Sequence, residues 1–324
     1  MSRAFVLVVA LCAAGGAAAA KADRLDTLRI EGKTLTTEVA RANGFFAKHG
    51  IDVRISSSPN SEVMRQKLSS GAVDIIDDGL DNAVKMKLDG TDVVILTGSR
   101  LAQQELIGQL GIKSAADVRG KSVIVDVPDT QAALLLKKIL LLGGLKAGVD
   151  YRLVPLGMNR FAAMQSNREY AAAMMSGPEA VIAKRMGFTS LGRSSELIGP
   201  ILYHGSYARR DWAVAHKDLV ERYVAANIEA QRWLLAPSNE AKVVEMIQAA
   251  GPGQLSAAEA KKVYGQLVSG PEALTKDLRF DVEAFRNFLR VRSEVERSWR
   301  NGAPPPEAFF DDSYYRDAAA KLPK

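Results

Sequence analysis

Residues 51–76 read IDVRISSSPNSEVMRQKLSSGAVDII. Ile51, Val53 and Ile55 alternate with Asp52 and Arg54, the period of two that marks a half-buried strand. Ser61 is placed to cap a helix that carries Val63, Met64 and Leu68 and ends at Gly71. Val73-Asp74-Ile75-Ile76 then reads as a buried strand. Strand, helix and strand in so short a span are the unit of a parallel sheet covered on both faces by helices.

The same rhythm extends outward. On the N-terminal side Leu28-Arg29-Ile30 predicts a first strand. Lys33-Thr34-Leu35-Thr36-Thr37 follows, where Thr36 or Thr37 can cap a helix bearing Val39, Ala42, Phe45 and Phe46 and stopping at Gly50. On the C-terminal side Val93-Val94-Ile95-Leu96 is a further strand. A second series begins near Leu106. Ser114 caps a turn, Ser122-Val123-Ile124-Val125-Asp126 is a strand, and Pro128-Asp129-Thr130 opens a leucine-rich helix closed by Gly143-Gly144. Leu153-Val154-Pro155 and Ala171-Ala172-Ala173-Met174-Met175 are the next strands, and Pro178 suits the first turn of a helix ended by Gly187. Beyond Gly205 the pattern is helical throughout: residues 218–235, residues 239–250, a helix with a Ser256/Glu259 capping box, and one from Asp281 towards Trp299. Ala303-Pro304-Pro305-Pro306 breaks the last.

Composition supports a folded, exported protein. Of 324 residues 47% are hydrophobic and 25% charged, the balance of a globular chain rather than a disordered one. The 43 basic residues against 37 acidic give a formal charge of +6, scattered singly, too sparse for a nucleic-acid footprint. At the N-terminus Arg3 precedes an apolar run over residues 4–20, and Ala18-Ala19-Ala20 and Ala20-Lys21-Ala22 both offer an A-x-A cleavage site. Gly15-Gly16 and the alanine-rich end favour cleavage over a membrane anchor. The single cysteine, Cys12, lies inside this leader, and Leu11 before it is too large for lipoprotein processing. A mature chain without cysteine suits an oxidising compartment and excludes disulfides and cysteine metal sites.

Four stretches carry a family resemblance: Ala42-Asn43-Gly44-Phe45-Phe46-Ala47-Lys48-His49-Gly50-Ile51-Asp52-Val53, Leu68-Ser69-Ser70-Gly71-Ala72-Val73-Asp74-Ile75, Asp117-Val118-Arg119-Gly120-Lys121-Ser122-Val123, and Trp233-Leu234-Leu235 with its Pro237-Ser238-Asn239 break. Their order and spacing resemble the substrate-binding proteins of nitrate/sulfonate/taurine-type ABC transporters, and the match runs over nearly the whole mature chain. The resemblance implies the type II periplasmic-binding-protein fold: α/β, two lobes with a parallel-sheet core in each and a helical C-terminal part. It divides the chain into a leader (residues 1–22), a first lobe (23–101), a second lobe (102–203), a helical return to the first lobe (204–300) and a tail packing on that lobe (301–324). The crossings fall near residues 100–103 and 202–205. It further implies a monomer in the periplasm, a small-molecule ligand held between the lobes by hinge closure, and an inner-membrane ABC permease as partner, with no cofactor and no metal.

In such a fold the ligand sits at the carboxyl ends of the strands. The residues there are Thr34, Leu35 and Thr36 in the first strand-to-helix turn, Asp78 and Asn82 in Asp77-Asp78-Gly79-Leu80-Asp81-Asn82, and Ser99 in Thr97-Gly98-Ser99. In the second lobe they are Thr130 and Gln131 at a helix start, Asn159 in Gly157-Met158-Asn159-Arg160, and Ser176 in Ser176-Gly177-Pro178. Among the carboxylates, Asp81 is expected to cap a helix and Asp77 to be solvated. Their presence turns the expected ligand from an inorganic anion towards an organic molecule with donors and acceptors: a sulfonate, carboxylate or heteroaromatic. G-x-S-x-G, H-E-x-x-H, Walker and Rossmann motifs are absent, so no catalytic residue is assigned. A sensing protein for a membrane receptor is the alternative, and an exported enzyme a more distant one.

Overall fold

The computed structural model describes residues 25–323 apart from residues 33, 100–103, 251–254 and 271–272, with nothing said of the Ala250 side chain. The leader with Cys12, Lys33 and the first predicted crossing lie outside the described residues.

The first half of the chain alternates as its pattern predicts: β1 (Asp26–Glu31), α1 (Leu35–Ala42), α2 (Phe45–Lys48), β2 (Ile51–Ser56), α3 (Ser61–Ser70), β3 (Ile75–Gly79), α4 (Asp81–Leu88) and β4 (Val93–Ile95). The second series is β5 (Gln104–Gly108), β6 (Ser122–Val125), α5 (Gln131–Leu142), β7 (Arg152–Pro155), α6 (Arg160–Ser166), β8 (Tyr170–Ser176), α7 (Gly177–Arg185), β9 (Thr189–Arg193) and α8 (Ser194–Leu197). The remainder is β10 (His204–Arg209), α9 (Arg210–Ala215), α10 (Lys217–Leu235), α11 (Glu240–Ala250), α12 (Ala257–Val268), α13 (Val282–Glu296) and α14 (Asp312–Ala320).

Two five-stranded sheets result, ordered β2-β1-β3-β10-β4 and β7-β6-β8-β5-β9. In each, three adjacent strands are parallel, with Ile30 opposite Ile75 in one and Ile124 opposite Ala173 in the other. The fourth strand of each sheet is antiparallel to both neighbours. These two strands are β5 and β10, and an antiparallel bridge between Ser99 and His204 joins the two stretches of chain near them. β10 corrects the expectation that strands end at Gly205: it is an interior strand, with Tyr207 opposite both Ile76 and Ile95.

The apolar interior is continuous between the lobes, with Ile107, Ile124 and Ala173 of the second clustered with Ile30 and Ile75 of the first. Leu28, Ile30 and Ile75 are fully buried in the first, and Val123, Leu135, Leu136 and Ala172 in the second. Local signals explain most helix ends. Thr130 accepts from Ala133 N to cap α5, Ser256 and Glu259 close a capping box on α12, and Pro178 occupies the first turn of α7. Three local readings differ. The helix expected to run to Gly50 is divided by Gly44, whose φ of +71° no side-chain-bearing residue adopts cheaply. Thr34 rather than Thr36 or Thr37 caps α1, and Asn60 rather than Ser61 caps α3.

The C-terminal helices contact both lobes. α10 lies against α1, α2 and α14 of the first. α12 packs on α7 of the second, with Arg185 2.6 Å from Glu259. α13 packs on α5, tied by Lys137–Glu296 at 2.8 Å and Lys138–Glu294 at 2.9 Å, and Leu134 of α5 is buried with Phe285 and Phe288 of α13.

Candidate functional site

The carboxyl ends of β1, β3 and β6 face a cleft that the lobes meet across. Ser61 donates to Asp126 Oδ2 through its N–H (3.3 Å) and its hydroxyl (2.5 Å). Gln131 N–H donates to Asp81 Oδ2 at 2.9 Å, and Arg65 reaches Asp129 at 3.3 Å. Met158 N–H donates to Pro59 O at 3.2 Å. At the mouth of this seam a groove of about 580 Å³ is walled by Glu62, Arg65 and Lys85 on one side and by Val127, Pro128 and Asp129 on the other. Each such hydrogen bond contributes only about 1 kcal/mol net.

Inside the first lobe a small polar pocket of about 40 Å³ is lined by Thr34, Thr36, Asp77, Thr97, Ser99, His204, Ser206 and Asn227. It has room for a single polar group rather than a whole solute. Thr34 and Ser206 hydroxyls donate to Asp77 at 2.7 and 3.1 Å, and Thr37 does so too. Ser206 Oγ is 2.8 Å from Tyr223 OH. Thr36 donates to Gln231 Oε1 at 2.7 Å. Asp77 is therefore buried and fully hydrogen-bonded, not solvated as its sequence suggests. His204 stacks on Tyr203 at 4.5 Å, and burial pushes its imidazole down to about 4, so the ring is neutral at pH 7.

A second group of carboxylates lies at the seam. Asp78, at the end of β3, accepts one short bond from Gly79 N–H (2.5 Å), and burial with Asp77, Asp126 and Glu31 nearby pushes it up to about 6. Asp81 is not a cap: it is the first residue of α4, buried, and burial pushes it up to about 7 despite the Gln131 N–H and the cations Arg292 and Arg65. Burial likewise raises the Tyr203 hydroxyl, with Asp81, Asp78 and Asp126 adding to the shift and Arg160 opposing it.

The predicted residues divide accordingly. Thr34, Thr36 and Ser99 share the first-lobe pocket. Asp78, Asn82 and Gln131 stand at the seam, Asn82 accepting from Arg65 at 2.9 Å. Thr130 serves its own helix, accepting from Ala133 N–H and donating to Val127 O at 3.1 Å. Leu35 lines an outer groove between α1 and α11 instead of the pocket, and Asn159 is exposed. Ser176 ends β8 opposite Gln104, half-buried. Sequence reasoning passed over Asp126, Tyr203, His204 and Arg65. Asp126 had a signal: it follows a strand in the second lobe just as Asp78 ends one in the first.

Two mixed sheets flanking a polar cleft define a two-lobe α/β protein of the periplasmic-binding-protein fold. The chain belongs to the NMT1-like family, which it matches over residues 34–248. A Brucella abortus (strain 2308) protein named as a binding protein is 25% identical over 207 residues, covering 63% of this chain and 64% of that one, so the chain spans just under two thirds of that relative. The periplasmic nitrate-binding protein NrtA from Synechocystis PCC 6803 superposes with a TM-score of 0.73 at 15% identity, over 92% of this chain and 89% of that one. The periplasmic aliphatic sulphonate-binding protein SsuA from Escherichia coli gives 0.65 at 16%, over 85% and 87%.

Proposed function

We propose that the protein is the periplasmic solute-binding component of an ABC importer, a monomer that captures a small organic molecule by closure of its two lobes. The observation that carries this reading is the seam: strand ends of both lobes meet through a few reversible bonds, Ser61–Asp126 and Gln131–Asp81 among them, around buried polar groups. Relatives named as binding proteins, and neighbours named as nitrate- and sulphonate-binding, support it. Export rests on the leader with its A-x-A sites. No described helix is long and apolar enough to cross a membrane.

The same groups support a non-enzymatic role. Ser206, beside His204 in sequence, has its hydroxyl engaged by Asp77 and Tyr223 rather than by the imidazole. A serine so engaged is not an activated nucleophile.

The test is thermal unfolding and small-angle scattering of the purified protein against sulfonates, carboxylates, amines and aminopyrimidines. A ligand at 100 times its Kd should stabilise by about 2.7 kcal/mol. The same ligand should shrink the radius of gyration and be recovered unchanged. Chemical conversion of the bound compound would replace capture by catalysis.

A further inference from the structure

The turn of residues 128–131 leads from β6 into α5 and meets the first lobe at two points. Gln131 N–H donates to Asp81 Oδ2 at 2.9 Å, and the Asp129 carboxylate accepts from Arg65 at 3.3 Å. Two cations hold the same turn from behind by its backbone. Lys137 Nζ donates to Pro128 O at 2.7 Å, and Arg292 of α13 donates to Asp129 O at 3.2 Å. Glu296, also on α13, pairs with both, 2.8 Å from Lys137 and 3.5 Å from Arg292.

Arg292 is 1% exposed, the largest fully buried side chain among the described residues. Glu296 is distant for an ion pair, and Arg292 Nε is buried without a hydrogen-bond partner among the described residues. A buried guanidinium served so sparsely costs stability, and an apolar side chain of similar length would pack there more cheaply. Packing therefore does not account for an arginine at this position. What arginine adds is a donor on the backbone of the turn and a positive charge near Asp81. Burial raises Asp81, and the charge of Arg292 opposes that rise.

α13 is anchored independently of the turn. Phe285 and Phe288 are buried with Leu80, Val84 and Tyr207 of the first lobe. Asn287 Nδ2 donates to Ile198 O at 3.2 Å and to Pro200 O at 2.9 Å, just before the second crossing. The helix is thus fixed on the first lobe and the crossing, while its last turn grips the second lobe.

We propose that Arg292 is a positioning residue for closure: with Lys137 and Glu296 it sets the 128–131 turn so that Gln131 N–H meets Asp81 when the lobes shut on a solute. This rests on the solute-capture reading and adds to it a determinant of closure on a helix behind the cleft.

The experiment compares Arg292→Met, the conservative Arg292→Lys, and Phe288→Ala, which loosens the same helix without touching the turn. In ligand-free protein, amide hydrogen exchange over residues 129–133 should quicken several-fold in Arg292→Met and stay at the parent rate in Phe288→Ala, although the latter lowers the urea midpoint. Calorimetry and scattering then follow nitrate, ethanesulfonate, benzoate, putrescine and 4-aminopyrimidine. The probe that contracts the parent should bind Arg292→Met several-fold more weakly and contract it less. Arg292→Lys, which can still donate to Asp129 O, should recover part of both, and Phe288→Ala should bind as the parent does. Lys137→Met, at the less buried of the two grips, repeats the test if Arg292→Met folds poorly. Unchanged exchange in the turn, faster exchange with unchanged binding, or equal weakening by Phe288→Ala overturns the assignment and leaves solute capture standing. A parent radius of gyration unmoved by every probe removes solute capture, and the role in closure with it.

Discussion

Asp77 and Asp78 are adjacent on one strand and meet opposite fates. Asp77 is 6% exposed and accepts from three hydroxyls, those of Thr34, Thr37 and Ser206, all from its own lobe. Asp78 has one backbone N–H and is pushed up to about 6 by burial among other acids. Alternation along β3 sends one side chain towards α1 and α10 and the other towards the seam. The first carboxylate is satisfied by the fold. The second keeps a single backbone donor and is half-buried, and that contrast separates a structural acid from the one we propose faces the ligand.

The sharpest way to break the comparison is to remove each acid. Asp77→Ala strands three donors and should cost about 3 kcal/mol or more in urea unfolding of the ligand-free protein. Asp78→Asn retains the Gly79 bond and relieves like-charge repulsion, so it should be neutral or slightly stabilising. Equal losses from the two would show that both carboxylates are structural.

A second measurement sharpens the electrostatic side. Asp81 is raised from an ordinary carboxylate value to about 7 in the folded protein. The folded state therefore binds the extra proton, and stability from this group is highest below about pH 4 and is lost as pH rises to about 7. Between pH 5 and 8 the loss is on the order of 2 kcal/mol. Glu221, Glu229 and Glu294, lowered by lysine, arginine and histidine partners although burial opposes this, act in the opposite sense, but only below the usual carboxylate range. Asp81→Asn preserves an acceptor for Gln131 N–H, so its stability relative to the parent should climb across pH 5–8. A flat difference would mean that closure does not force Asp81 to hold a proton.

Much of this architecture is legible from local pattern. The β1–α1–β2–α3–β3 alternation and the caps at Thr130 and Ser256 depend on neighbours in sequence, and they stand where those neighbours place them. β10 is not legible in that way. His204, Ser206 and Arg209 make it read as polar, and it exists as a strand because β3 and β4 leave a slot between them. β9 is similar, with Gly192 in its middle and a shifted register against β5. At the site, strand ends point to Thr34, Thr36, Asp78 and Ser99. What sequence cannot supply is which of Asp77, Asp78 and Asp81 finds donors in its own lobe. That depends on Ser206 and Tyr223, far along the chain, and on Gln131 arriving from the other lobe.

The smallest expected effect tests the seam itself, and a matched pair of glycines isolates it. Gly44 and Gly157 have φ of +71° and +67°, so alanine at either should cost about 1 kcal/mol from backbone conformation alone. A Cβ at Gly44 meets nothing within 4 Å, whereas one at Gly157 falls 2.5 Å from Pro59 O across the seam. Stability in urea should therefore drop alike in Gly44→Ala and Gly157→Ala, because the lobes of the second variant can part to relieve the clash. Only Gly157→Ala should show a smaller contraction of the radius of gyration on adding ligand and a several-fold weaker hold on whatever solute closes the parent. If the two variants scatter and bind alike, the contact between Pro59 and Gly157 is not part of closure, and the seam must be sought among Ser61, Asp126, Asp81 and Gln131 alone.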